Sequence, residues 1–213
     1  MRKITFISVL YIFAIVATGG CQKKKTVEPT PTPDPPPPVV QTDFAKGADV
    51  GWITEMEAAG KKFYNAAGVE TEGIALMKSL GMNTIRLRVW VNPSPSWNNA
   101  ADVVAKAVRA KNLGMRVMID FHYSDYWADP GKQYKPAAWK DLSFEELKKA
   151  LYDYTKMVME ELKAQGTMPD MVQVGNEINH GIVWPDGNVA NIDQTAQLIN
   201  AGTAAVKAVD PTV

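Results

Sequence analysis

One pattern recurs four times along this chain and limits what it can become. A short apolar strand ends in polar or charged residues, and a helix follows. The clearest copy is Asn83–Val91, NTIRLRVWV. Strand side chains alternate faces, so Ile85, Leu87, Val89 and Val91 share one side while Thr84, Arg86, Arg88 and Trp90 share the other. Arg116–Tyr123 repeats the pattern, with Val117, Ile119 and Phe121 opposite Met118, Asp120 and His122. The stretch from Met171 gives Gln173, Gly175 and Glu177 one parity and ends in Asn176-Glu177. Lys46–Val50 is a shorter copy that ends near Asp49.

Helical spacing separates these strands. Glu70–Leu80 carries Ile74, Met77 and Leu80 and stops at Gly81, and Ala100–Leu113 stops at Gly114. Ser143–Gln165 has Ser143 as its expected N-cap, with Glu145 and Glu146 in the first turn, where they complement the helix dipole. A last helix spans Ile192–Val209. The order βαβαβαβα predicts an α/β fold with a parallel sheet. No Gly-rich phosphate loop follows any strand, which argues against an open nucleotide-binding sheet. Polar side chains gather instead at the C-terminal strand ends: Asp49, Arg88, His122, Asn176 and Glu177. That placement favours a (β/α) barrel of the TIM type with its active site at that end, the apolar strand faces turned to the helices and the polar faces inward.

The N-terminus reads differently. Arg2 and Lys3 precede an apolar run, Ile4–Ala17, and then Thr18-Gly19-Gly20-Cys21. Small residues before a cysteine resemble a bacterial lipobox, which implies a signal peptide over residues 1–20 and lipid attachment at Cys21; an ordinary cleaved signal is the alternative. Thr26–Thr42 holds half of the chain's 14 prolines, so residues 21–42 predict an extended linker that cannot form a core. The expected folded segment is residues 43–213, on an exported lipoprotein at the outer membrane or cell surface. Lys+Arg 23 balances Asp+Glu 23 with no basic stripe, so nucleic acid is not an expected partner. The lone cysteine and two histidines, with no HExxH-like pair, predict no metal site.

A carboxylate at a barrel strand end suits general acid/base work, and glycoside hydrolysis needs two such groups across the scissile bond. Glu177 is the candidate proton donor, with desolvation at an apolar strand end raising its pKa; a surface charge is the bland reading. Arg86, inside a barrel, requires a carboxylate partner, either a catalytic one that it orients or a structural one. His122 bonds a sugar, tunes Glu177, or is a satisfied core histidine. The long loop Ser124–Leu142 carries Tyr126, Trp127, Tyr134 and Trp139. Their rings either stack on sugars or pin the loop, and Trp184 has the same two readings. Asp125, Asp129 and Lys132 are placed to bond hydroxyls.

The stretches KGADV, FYNAAG, GMNTIRLRVWVNP, DFHYSDYWADPGKQ, PAAWKDLSFEELKKALYDYT and DMVQVGNEINHGIVWPDG resemble glycoside hydrolase family 53, the arabinogalactan endo-β-1,4-galactanases of clan A. The resemblance implies a (β/α)8 barrel, a retaining mechanism, a β-1,4-galactan substrate and no cofactor in the chemistry. It implies Glu177 as acid/base, Asn176 beside the cleaved bond and Arg86 as the arginine that holds the nucleophile. Asp49, His122, Asp125, Trp127, Asp129 and Trp184 match positions in or around the family's cleft. The calcium of some bacterial members falls beyond these residues.

The chain departs from the family in one respect. The family's nucleophile is a second Glu near the end of strand seven, whereas four βα units precede Val213, and a whole barrel takes about 250 residues. Three explanations are open: a truncated, inactive fragment; two half-barrels that pair; or Asp120 or Asp125 as a substitute nucleophile. A non-catalytic carbohydrate-binding surface lipoprotein is the competing function.

Overall fold

The computed structural model describes residues 44–213. The signal peptide expected over residues 1–20, lipidation at Cys21 and the linker to residue 42 lie outside the described residues. Four parallel strands form as the alternation predicts: β1 (Gly47–Asp49), β2 (Thr84–Val89), β3 (Arg116–Phe121) and β4 (Met171–Val174), side by side in that order. The register pairs Asp49 with Arg86, Arg88 with Asp120, and Asp120 with Gln173. Polar residues of consecutive strands therefore meet across the sheet. Among the described residues β1 and β4 each have a strand neighbour on one side only.

The apolar face looks to the helices. Ile85, Leu87, Val89, Val117, Ile119 and Phe121 are fully buried. They share one core with Val103, Ala107 and Ala110 of α3 (Ala100–Asn112) and with Leu147, Leu151, Val158, Met159 and Leu162 of α4 (Phe144–Ala164). Each large aliphatic or aromatic side chain buried this way contributes about 1.5–3 kcal/mol. Ser143 caps α4 in a full capping box with Glu146, and the Asn99 side chain accepts from Asp102 N at 2.9 Å to cap α3.

Three elements differ from what the sequence pattern predicts, the first two before β2. Helical spacing puts a helix start at Glu70, but α2 spans only Gly73–Ser79. Asn65 Oδ1 accepts the N–H groups of Ala67 and Val69, and Tyr64 pairs antiparallel with Glu70. This turn holds residues 70 and 71 extended, and the carboxylate of Glu72 then caps the helix by accepting Ala75 N–H at 2.6 Å. A short helix, α1 (Ile53–Ala58), carries no apolar stripe that would announce it; Ile53 is its one buried residue.

β4 stops sooner than its sequence suggests. Gly175 takes φ +92°, where a Cβ would come within 2.6 Å of Ile178 Cγ2, and the chain turns out of the sheet there. A two-stranded ribbon follows, β5 (Gly181–Ile182) with β6 (Gly187–Asn188), and then α5 (Ile192–Val209), which packs on β4 and α4. Gly202 is the point of closest approach: a Cβ there would lie 2.6 Å from Val174 Cγ1 and 2.7 Å from the Tyr123 hydroxyl. Replacing a mid-helix glycine with alanine normally gains up to about 1 kcal/mol. Here overpacking, typically about 1–3 kcal/mol, opposes it. Gly202→Ala is expected to lower the midpoint of chemical denaturation, a net loss of about 1 kcal/mol, whereas propensity alone predicts a rise.

Candidate active site

The polar ends of the four strands converge on Arg86. Its Nη1 donates to Asp49 Oδ2 at 2.8 Å. Its Nη2 lies 2.7 Å from Asp120 Oδ2 and donates to Asn176 Oδ1 at 2.8 Å and Gln173 Oε1 at 3.2 Å. One guanidinium on β2 thus touches β1, β3, β4 and the turn after β4. Arg88 adds a contact from Nη1 to Asp49 Oδ1 at 2.9 Å. Two guanidinium groups face two carboxylates, so charge balances locally, as groups withdrawn from water require. Burial pulls the Arg88 guanidinium below its usual range, and Asp49 opposes that shift.

Asp120 is fully buried. The Arg86 and His122 nitrogens lie 2.7 and 2.9 Å from its Oδ2 but off the hydrogen-bonding direction, so charge more than directed hydrogen bonding holds it. His122 is buried as well. Its Nδ1 accepts Ala128 N–H at 3.1 Å, which leaves the ring proton on Nε2, facing Asp120. In this position His122 joins β3 to the following loop and has no surface to offer a ligand. Asn176 is similarly tied, its Nδ2 donating to Ala128 O at 2.7 Å while its Oδ1 accepts from Arg86.

Glu177 is the exception. It follows Asn176 in left-handed backbone, φ 48° and ψ 48°, a conformation that costs a non-glycine residue about 1–3 kcal/mol. The turn lifts its side chain off the sheet. Its carboxylate is exposed, outside the apolar enclosure expected at the strand end, and makes no hydrogen bond or ion pair among the described residues. Gln133 fixes the backbone beneath it: Nε2 donates to Asn176 O at 2.7 Å and reaches Glu177 O at 3.4 Å.

The remaining expected residues lie in the loops after β3 and β4. Trp127 is 39% exposed, with the Arg88 guanidinium 4.2 Å from its ring centroid and Trp90 and His122 edge-on at 5.8 and 5.6 Å. One part of the indole is pinned and the rest faces solvent, whereas Trp139 is buried and pins the loop. Asp125 accepts Asn92 N–H and Ala137 N–H, one on each oxygen, and so serves the loop's own structure. Asp129 accepts Gly131 N–H at 2.8 Å and lies 3.4 Å from Lys132 Nζ; these contacts, the Gly131 bond first, hold its carboxyl below the usual range. Trp184 donates from Nε1 to His180 O at 2.8 Å. Among the described residues no group of three or more His, Cys, Asp or Glu side chains is arranged to hold a metal.

Two residues of the site have no role in the sequence reading. Gln133 closes the DFHYSDYWADPGKQ stretch that carries the family resemblance, but neither spacing nor local pattern gives it a role. Lys106 does have a signal: it shares the face of Val103, Ala107 and Ala110 on α3, an odd place for a cation. It is fully buried, and Nζ donates to Gly51 O at 2.8 Å, Asn98 Oδ1 at 3.0 Å and Asp102 Oδ2 at 2.8 Å. It ties the loop after β1 to the loop after β2, behind Asp49 and Arg88. Burial pulls its ammonium below the usual range.

Removing the Arg86 cation leaves the buried Asp120 charge without that partner, beside the His122 ring. Breaking one partner of a buried pair costs about 3–5 kcal/mol; Arg86 keeps a 26% exposed side chain, so the low end applies. Arg86→Met should lower unfolding free energy by about 3 kcal/mol, and adding Asp120→Asn should restore part of that loss. Equal denaturation curves for wild type and Arg86→Met would remove Arg86 from its central place.

Comparison with known proteins gives this arrangement a family. The chain matches the model of glycosyl hydrolase family 53 over residues 45–213. It is 40% identical over 173 residues to the endo-beta-1,4-galactanase of Bacillus subtilis, covering 78% of this chain and 39% of the relative. It is 38% identical over 172 residues to the arabinogalactan endo-beta-1,4-galactanase of Cellvibrio japonicus, covering 78% and 46%. The solved catalytic domain of the same family from Ignisphaera aggregans superposes with TM-score 0.75 at 42% identity, over 84% of this chain and 52% of that one. The chain spans about half the length of the curated relatives it matches. Its four parallel βα units are those of a partial (β/α) barrel, and with the family model matched across the whole described segment save its first residue, the chain belongs to glycosyl hydrolase family 53.

Proposed function

We propose that this chain is the acid/base-bearing half of a retaining endo-β-1,4-galactanase, with Glu177 as the proton donor. One observation carries the reading. Of the strand-end carboxylates, Asp49 and Asp120 are committed to arginines and Asp125 to backbone N–H groups, while Glu177 stands exposed and unengaged beside a fixed Asn176. The names of the Bacillus and Cellvibrio relatives supply the substrate class, β-1,4-linked galactan.

The chemistry follows from that assignment. Protonated Glu177 donates to the glycosidic oxygen as the bond to the anomeric carbon breaks, and a second carboxylate about 5–5.5 Å away attacks that carbon. Glu177, now ionised, then takes a proton from water as water displaces the enzyme carboxylate. No cofactor enters either step. Asp49, Asp120 and Asp125 each have other work, so we place the nucleophile outside residues 44–213. Arg86 reaches it across the inner face, and the 213-residue chain by itself does not turn over galactan. Asn176, its amide oriented by Arg86 and Ala128, borders the sugar next to the cleaved bond, and Trp127 and Trp184 take further sugars of the chain. Asp49, His122, Asp125 and Asp129 support the cleft from behind, through the contacts described above.

The N-terminal segment fits a polysaccharide-degrading enzyme held at a surface: cleavage before Cys21, lipid attachment there, and the proline-rich stretch as spacer. Replacing Cys21 would then release the protein from membranes. A carbohydrate-binding lipoprotein without catalysis uses the same aromatic rim and differs in needing no second carboxylate.

In the protein with its full barrel, Glu177→Gln keeps the shape of the side chain and removes the titrating group. Turnover of galactan should fall by about 10²–10⁴-fold, the usual contribution of a positioned general acid, with folding unchanged. Turnover equal to wild type would sink the assignment.

A further inference from the structure

Tyr134 is 62% exposed on the loop after β3, next to Gln133, whose side chain grips the backbone of Asn176 and Glu177. An exposed aromatic ring on a mobile loop would mean little. This one sits on a rigid mount. Gln133 before it is buried, and Lys135 after it is largely buried against Asp186 at 2.5 Å. The backbone of Tyr134 pairs in parallel with that of Trp184, and Trp184 N–H donates to Gln133 O at 2.5 Å. His180 Nδ1 lies 2.8 Å from Pro130 O and joins the same two loops again.

The two loops, one after β3 and one after β4, are therefore fastened together at four places around Tyr134. The ring itself meets Trp184 edge to face, with centroids 6.4 Å apart and planes at 86°. That geometry leaves aromatic surface open to solvent, and the hydroxyl bonds nothing among the described residues. The cluster is distinct from the one around Trp127, which rests on Arg88, Trp90 and His122. The sequence pattern singles out Tyr134 only as one aromatic of a long loop.

We infer that Tyr134, braced by Trp184, is a sugar-binding platform for a galactosyl unit further along the polysaccharide than the units beside Glu177. The inference rests on the carbohydrate reading of the site. A β-galactosyl ring gathers its C–H groups on one face and its hydroxyls at the edges. That face suits a fixed phenol ring, while the hydroxyls stay in water. Two rigid aromatics at right angles contribute contact area with little ordering cost on binding. The platform therefore favours long galactan chains over short ones.

The test is calorimetric titration of the 213-residue chain with β-1,4-galactobiose and β-1,4-galactohexaose. Wild type should bind the longer ligand more tightly. Tyr134→Ala should weaken galactohexaose by about tenfold, in line with the size of aromatic contact energies, and galactobiose hardly at all. Tyr134→Phe should bind both as wild type does, because the ring and not the hydroxyl makes the platform. Wild-type affinity for galactohexaose in Tyr134→Ala, or equal loss in the Phe and Ala variants, would overturn the inference while leaving the carbohydrate reading intact. A wild-type chain that binds neither ligand removes both.

Discussion

The Arg86 guanidinium contacts Asp49 on β1, Asp120 on β3, and Gln173 and Asn176 on and after β4. The order of the strand ends depends on that set of contacts. A sheet of four parallel strands fixes its members through backbone hydrogen bonds and a buried apolar face, but neither fixes the side chains beyond the last paired residues. Arg86 does so by charge. Asp120, withdrawn from water, needs its cation; once Arg86 is held by Asp120 and Asp49, its remaining donors orient the Asn176 amide. The same ion pairs that stabilise the inner face thus set the residue before Glu177.

Around that centre the backbone is strained. Tyr123, Glu177 and Val183 all have positive φ, at 50°, 48° and 41°, each at a cost of about 1–3 kcal/mol. The compensation is local and visible. Tyr123 is fully buried, stacks on Phe121 with centroids 5.5 Å apart, and shares a 2.8 Å hydrogen bond with Thr155. Glu177 is held from below through Gln133, and Val183 is buried beside Trp184 in the loop fastened to Tyr134. Rigid loops under strain, built on a well-packed sheet, keep an exposed carboxylate and exposed aromatic rings in fixed relation without burying them.

Much of this was legible in the residue pattern, because alternation in β2 and β3 and the spacing in α3, α4 and α5 record which faces are buried. The need of Arg86 for a carboxylate was legible too; its partners turned out to be Asp49 and Asp120, a register that no single strand reveals. What escaped the pattern depended on contacts distant in sequence or on short turns. The Asn65 turn shortens α2, Gly175 ends β4 two residues before Glu177, and the open carboxylate contrasts with the enclosed one that an apolar strand end suggests. Lys106 left a trace, a cation on an apolar helix face, whereas Gln133 stood in a stretch that carries the family resemblance without any sign of the backbone it would hold.

In the proposed mechanism residues 44–213 act as the acid/base half of a galactan-cleaving barrel and take the nucleophilic carboxylate from the other half. The most direct measurement replaces the matching half of the Bacillus subtilis endo-beta-1,4-galactanase with these residues and follows reducing ends released from β-1,4-galactan. A chimera with a cooperative melt is expected to release galacto-oligosaccharides. A chimera that melts cooperatively and leaves galactan intact would contradict it.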